Sequence, residues 1–283
     1  MNTDAKGPTD AMDGNTGISH GRVVAALDGV SMRRHTGGQV ILDAVDWAVR
    51  AGEHWALLGP NGAGKTSVLR LVGATAFPTA GTVEVLGHRL GRVDVRDLRA
   101  LIGHVSTSQR VPGDLTGHAV VLTGHTGTVQ PLWRKYDGEV RDRAHALLAE
   151  LQIKDLADRE YGVCSGGQRA RILIARALMA DPALLLLDEP FNALDLPSRE
   201  DLIDTMRHLA SARPELSTVT VTHHLEELSP AIGHALLLRE GRVLARGAIE
   251  GVLTAERMTA CFGRPIGVTR HAGRWLARAD GHA

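Results

Sequence analysis

This chain of 283 residues predicts an α/β fold: a parallel sheet, an antiparallel β piece at its N-terminal side and an inserted helical lobe. Three observations carry that prediction. Residues 54–58, 183–187 and 217–222 are apolar or β-branched runs of strand length without a polar face, as suits strands covered on both sides of a sheet. Segments with apolar residues at helical spacing lie between them. The stretch from about 107 to 180 offers helical signals alone, enough for a lobe inserted into the sheet.

The elements follow in order. Residues 1–21 are rich in Gly, Thr and Asp and have no apolar run, so they read as a disordered tail and not as a signal peptide. From Val23 to Val49, short alternations broken at Gly37-Gly38 predict edge strands of the antiparallel piece. The buried run 54–58 stops at Gly59-Pro60, a helix starts over 67–72, and 83–86 is another short strand. Between 138 and 151, Val140, Ala144, Leu147, Leu148 and Leu151 line one face of an amphipathic helix. A second helix spans about 168–179 and ends before Asp181-Pro182. The strand runs 183–187 and 217–222 follow, and 234–245 reads as a hairpin turning at Arg239-Glu-Gly-Arg242.

Composition narrows the class. Hydrophobic residues make up 43%, too many for a disordered chain, while 3% aromatics imply an aliphatic core. Basic and acidic residues number 32 each, so no basic surplus favours nucleic acid or anionic lipid. Cys164 and Cys261 form no metal-ligand spacing and fit a reducing, cytosolic setting. No window reaches the ~18–20 uncharged apolar residues of a membrane helix, since Arg176 and Asp181 interrupt the longest apolar stretch. Only four of the basic residues are lysines, and one of them, Lys65, lies in a motif.

Gly59-Pro60-Asn61-Gly62-Ala63-Gly64-Lys65-Thr66, between the first buried strand and its helix, matches G-x-x-x-x-G-K-[ST]. Glycines let the backbone curl so that consecutive N–H groups face a phosphate, and the helix opening at Ser67 adds its positive end. Lys65 can reach β- and γ-phosphates, and the Thr66 hydroxyl can ligand Mg²⁺. A strand, the loop and a helix in this order predict a P-loop ATPase core that binds ATP with Mg²⁺. Asp188-Glu189 ends the apolar strand 183–187, and loops at neighbouring strand ends converge on one crevice. Asp188 can therefore hold Mg²⁺, and Glu189 can polarise a water in line with the γ-phosphate. Taken without the phosphate loop, the bland alternative is a strand end with two solvated acids.

Cys164-Ser165-Gly166-Gly167-Gln168 resembles the signature of the ATP-binding-cassette (ABC) ATPases, with Cys for the usual first Leu. It lies about 100 residues after Lys65 and about 20 before Asp188, the family's order. Pro190-Phe-Asn-Ala-Leu-Asp195 looks like the D-loop, and Val221-Thr-His223 like the strand end with the switch histidine. The resemblance covers about residues 22–262, leaving 263–283 as a C-terminal extension. It implies cassettes paired head to tail, as a homodimer or with a second cassette, with ATP between the phosphate loop of one and the signature of the other. Ser165, Gly166, Gly167 and Gln168 would then reach the partner's nucleotide, and a serine with two glycines opening a helix suits an anion. Asp195 would sense the second subunit, and His223 would contact the γ-phosphate and help orient water. On the residues alone, Ser-Gly-Gly is a helix-capping turn and a lone histidine is structural.

Departures from the family pattern are specific. The aromatic that stacks on adenine is expected near Arg34-His35, where Arg or His can stack in its place. The glutamine that reaches Mg²⁺ is expected near Thr107, with Gln109 two residues on as the candidate. His223-His224-Leu-Glu-Glu227 is similar to a branch of cassettes associated with molybdate or metal-anion uptake. His118 and His125 fall in a Gly/Thr-rich stretch and read as a solvated loop. Trp133 and Tyr136 are either a partner-docking edge or packing within the lobe, exposure deciding between them.

The resemblance implies a Mg-dependent ATPase that powers a separate membrane-spanning permease from the cytoplasmic face of the membrane. The alternative is a soluble cassette acting on DNA, ribosomes or regulation. A single phosphate loop, no long coiled coil and no basic surplus weigh against that alternative and against a nucleic-acid partner.

Overall fold

The computed structural model describes residues 21–34, 37–106 and 108–279. The expected tail lies outside these residues apart from Gly21, as do His35, Thr107 and residues 280–283. Strands β1 (Val23–Arg33), β2 (Val40–Arg50) and β3 (His54–Leu58) lead to α1 (Lys65–Val72), β4 (Ala80–Val85) and β5 (His88–Arg89). Next come α2 (Val95–Ala100), β6 (Ile102–Ser106), α3 (Gly117–Thr126), α4 (Gly138–Glu150) and α5 (Gly166–Leu178). After them stand β7 (Leu184–Asp188), α6 (Leu196–Ala212), β8 (Ser217–Val221), β9 (His234–Arg239) and β10 (Arg242–Ala248). The described chain closes with α7 (Ile249–Val252), α8 (Ala255–Phe262), β11 (Ile266–His271) and β12 (Arg274–Ala279).

Six strands form the central sheet in the order β10-β9-β3-β8-β7-β6, parallel except for β10, which turns back on β9 through Glu240-Gly241. The antiparallel piece is a second sheet, β2-β1-β4-β5. There the sequence reading needs correction. β2 is an edge strand, but β1 is interior, because β4 pairs with its other side through Ala25↔Val85 and Leu27↔Val83.

β7 shows why its run carries no polar face. Leu184 and Leu186 point into the core shared with α1 and the antiparallel sheet, Leu185 and Leu187 into the core shared with the lobe, and all four are fully buried. Each such burial is worth about 1.5–3 kcal/mol.

The lobe overturns one expectation. His118 and His125 stand on α3, not in a solvated loop. Thr116 caps that helix, its Oγ1 accepting from the Ala119 N–H at 3.2 Å, and Val120, Val121 and Leu122 are buried. Gly124, which made the stretch look loop-like, serves packing: an added Cβ would lie 2.0 Å from the Arg176 carbonyl oxygen, so glycine lets α3 lie against α5. His118 stacks on His145 with ring centroids 3.9 Å apart, and burial lowers its pKa. The aromatic pair divides: Tyr136 is buried and its hydroxyl accepts from the Leu132 N–H, while Trp133 is 52% exposed.

Residues 266–279 of the C-terminal extension form a hairpin of β11 and β12. Ile266, Val268 and Trp275 pack onto a third core with Leu225, Leu228 and Met258. Among the described residues, no helix is long and apolar enough to cross a membrane.

Candidate functional site

Sheet register assembles the site. Val221 of β8 lies opposite Leu57 of β3 on one side and Asp188 of β7 on the other. Chain segments leaving these three parallel strands therefore emerge side by side, bringing Gly59, His223 and Glu189 to one edge. The cleft there has a volume of about 1110 Å³, and Asn61, Gly62, Gly64, Lys65, Thr66, Ser67, Glu189 and His223 line it.

The loop's shape follows from its glycines. Gly59, Gly62 and Gly64 take φ of 149°, 79° and 103°, which L side chains rarely adopt. A Cβ at Gly59 would lie 2.1 Å from the Leu238 carbonyl oxygen, so the loop passes against β9 with no room for a side chain. Pro60 and Ala63 close the turn through Ala63 N–H to Pro60 O at 3.1 Å. Gly64 caps α1 without a side-chain hydrogen bond, leaving N–H groups of its first turn for an anion. Lys65 is buried, and its Nζ donates to Gly59 O at 2.7 Å and Pro60 O at 3.1 Å. Burial lowers its pKa, against the opposing pull of Glu189 and Asp188.

The carboxylates differ. Burial pushes the Asp188 carboxyl above its usual range, opposed by nearby His104 and Lys65. Glu189 adopts a left-handed φ of 51°, held by its N–H donating to Val221 O at 3.1 Å. That turn sends its side chain into the cleft, where Oε1 meets Nε2 of His223 at 2.5 Å. The hydroxyl of Thr66 and the carboxylate of Asp188 are hard oxygen donors, which suit Mg²⁺. Among the described residues, no three His, Cys, Asp or Glu side chains cluster as a metal cage.

Other expected residues lie elsewhere. Gln109 lines a separate cavity of about 650 Å³ with Gly166 and Asn192, and the structure does not bring it to the Lys65 cleft. Ser165 caps α5: its Oγ accepts from the Gln168 N–H, and its own N–H donates to Gln168 Oε1 at 2.9 Å. The Gln168 side chain is thus turned back on its own helix. A Cβ at Gly166 would lie 2.8 Å from Leu194, and one at Gly167 2.7 Å from Ser198, so these glycines let α5 begin against the start of α6. Asp195 caps α6, accepting from the Ser198 N–H at 3.1 Å, and hydrogen bonds from the Ser198 side chain and then its backbone hold its carboxyl below the usual range. Ser165, Gly166 and Asp195 are exposed, as is Leu196 at 61%, and none of them lines the Lys65 cleft.

Phe77 is a residue that sequence reasoning passed over. It lines the Lys65 cleft beside Arg34 and is 53% exposed. The Thr79 N–H donates to Ser31 O at 2.8 Å and its Oγ1 accepts from the Arg33 N–H at 3.0 Å, which fixes the Phe77 loop against the end of β1. The only sequence signal was an aromatic just after the phosphate-loop helix.

Comparison with known proteins agrees with this fold. The family model described as ABC transporter matches residues 42–192. An ABC transporter ATP-binding protein of Bacillus subtilis, YlmA, is 40% identical over 91% of this chain and 98% of its own length. The hemin import ATP-binding protein HmuV of Nocardia farcinica is 33% identical over 90% of this chain and 88% of its own. Among solved structures, a dimeric ATP-binding cassette in a post-hydrolysis state with ADP and Pi superposes with a TM-score of 0.68. It is 26% identical and covers 80% of this chain and 98% of that one.

Proposed function

The chain belongs to the ABC transporter ATP-binding family, and from that premise we propose that it hydrolyses ATP between two paired copies to power a membrane permease. The observation that carries the reading is the convergence of Lys65, Thr66, Glu189 and His223 on one cleft, with Glu189 and His223 2.5 Å apart.

In this reading the phosphate loop and the start of α1 hold the triphosphate by backbone N–H groups, and Lys65 leaves its loop carbonyls for the β- and γ-phosphates. The hydroxyl of Thr66 and the carboxylate of Asp188 would hold Mg²⁺, which neutralises phosphate charge when bound. Glu189 takes the proton of the attacking water, and His223 orients Glu189 and the γ-phosphate. Phe77 and Arg34 flank the base, supplying the stacking surface that β1 lacks.

Pairing is supported by what the cleft does not contain. Ser165, Gly166 and Asp195 are exposed and do not line the Lys65 cleft of their own chain. A second copy would bring that surface over the nucleotide, completing the anion site with the N-terminus of α5. Such a subunit would act at the cytoplasmic face of the membrane, bound to its permease. Transporter subunits among the relatives favour this over a soluble ATPase acting on DNA or ribosomes.

The test is Glu189→Gln. Removing the base should lower kcat by about 10²–10⁴-fold while ATP affinity holds and an ATP-bound dimer persists on gel filtration. Hydrolysis at the wild-type rate would remove Glu189 from its role. The same variant, solubilised mildly from membranes, should bring down a permease, and its recovery free of any membrane protein would count against the transport role.

A further inference from the structure

We propose that Arg274, at the start of the C-terminal hairpin's second strand, is a positioning residue for ATP hydrolysis: it ties the turn that follows His223 to the start of α6. The inference rests on the role given to His223 above and goes beyond it, since no phosphate chemistry requires this hairpin.

The guanidinium joins two elements that flank the site. Nη1 donates to Glu200 Oε2 at 2.7 Å and Nη2 to Glu200 Oε1 at 3.3 Å, on the α6 segment just beyond Asp195. Nη2 also donates to the carbonyl oxygen of Glu226. Glu226 lies in the 3-10 turn Leu225–Glu227, which begins two residues after His223. The other end of that turn is tied internally. Thr222 Oγ1 donates to the buried Glu227 carboxylate and accepts from the His224 N–H at 3.1 Å. Leu225 and Leu228 pack in the same core as Trp275 of the hairpin. His223 therefore hangs between an internal tie at Thr222 and an external one at Glu226, and it reaches Glu189 from there.

The kind of side chain matters. A planar guanidinium can serve a carboxylate and a carbonyl at once, which a lysine ammonium cannot do in fixed geometry. Arg274 is only 24% exposed at its side chain, so water is a poor substitute. The His223–Glu189 contact at 2.5 Å has little slack, and a misplacement of about 1 Å can cost about 10²-fold in rate.

The experiment measures steady-state ATPase and thermal melting on the purified full chain. Arg274→Ala should lower kcat by about tenfold or more with KM for ATP within about twofold, because the phosphate loop is untouched. Arg274→Lys should recover part of the rate. Glu200→Gln, which leaves the Glu226 carbonyl bonded, should cost less than Arg274→Ala. Combined with His223→Ala, Arg274→Ala should add no further loss, since both act through one side chain. Wild-type kcat in a folded Arg274→Ala chain, or a full additional loss on top of His223→Ala, overturns the proposal. If Arg274→Ala does not fold, Arg274→Lys decides: a lowered kcat at unchanged KM supports the tie, and a wild-type kcat overturns it. Wild-type hydrolysis by His223→Ala would instead refute the histidine's role, a result distinct from an active Arg274 variant beside an impaired His223 variant.

Discussion

Replacing Gly59 by alanine should damage this protein more than any similar change in the phosphate loop, by an amount the geometry sets. The new Cβ would lie 2.1 Å from the Leu238 carbonyl oxygen and 3.1 Å from its carbon, both backbone atoms of β9. Neither can swing aside, so the gap must widen by roughly 1.3 Å to the 3.4 Å of ordinary contact. Overpacking of this kind costs about 1–3 kcal/mol, and the φ of 149° adds about 1–3 kcal/mol for any L side chain. In a chain of this size about 1 kcal/mol shifts Tm by roughly 2–4 °C, so the melt should fall by roughly 5–20 °C. Gly62→Ala is the internal control: it shares a positive φ of 79° but meets nothing within 4 Å, and should lose roughly 2–8 °C, less than Gly59→Ala. Melting both variants by circular dichroism, with ATP affinity measured by fluorescence, separates them. Affinity should fall further for Gly59→Ala, because Lys65 rests on the Gly59 carbonyl at 2.7 Å. A Gly59→Ala chain that melts within about 2 °C of wild type would refute the steric reasoning.

Two further outcomes are expected. Phe77→Ala should weaken ATP binding by about 1–3 kcal/mol, read as a higher Kd with kcat little changed, and an unaltered Kd would remove Phe77 from the base site. Glu150 at the end of α4 accepts two 2.8 Å hydrogen bonds from Arg213, which hold its carboxyl below the usual range. The sign follows from that direction: the pair's contribution is complete above the ordinary carboxylate pKa and lost as pH falls through the lowered one. Glu150→Gln should thus be less stable by about 1 kcal/mol at pH 7, with the gap closing below roughly pH 4.5, and a gap that widens toward acid would contradict this.

Legibility followed burial and chemistry. The runs at β3, β7 and β8 read correctly because both faces of those strands are covered, so the pattern has no polar phase to mislead. The tight turn between β3 and α1 is legible because its glycines answer to backbone geometry, with positive φ at Gly59, Gly62 and Gly64. α6 escaped notice for the opposite reason. It buries only Leu202, Ile203, Thr205, Met206 and Leu209 over 17 residues, and its start is set by Asp195 and a proline rather than by periodicity. α3 is hidden in the sequence by its Gly/Thr-rich composition, although Gly117 and Gly124 each let a neighbouring backbone come close. Phe77 and Gln109 show what spacing cannot supply: which of two cavities a loop residue faces is decided by tertiary contacts, here Thr79 against Ser31 for the first.

The alternation of β7 has a mechanical consequence. Its four leucines are lodged by turns in two different hydrophobic cores, so the strand can follow neither layer without disrupting the other. Asp188 and Glu189 are therefore mounted on a fixed beam. A swing of the helical lobe relative to the sheet would have to be absorbed at the lobe's two connections, residues 108–116 and 179–183, and by slippage against Leu185 and Leu187 in the core they share, while the carboxylates keep their place beside the phosphate loop.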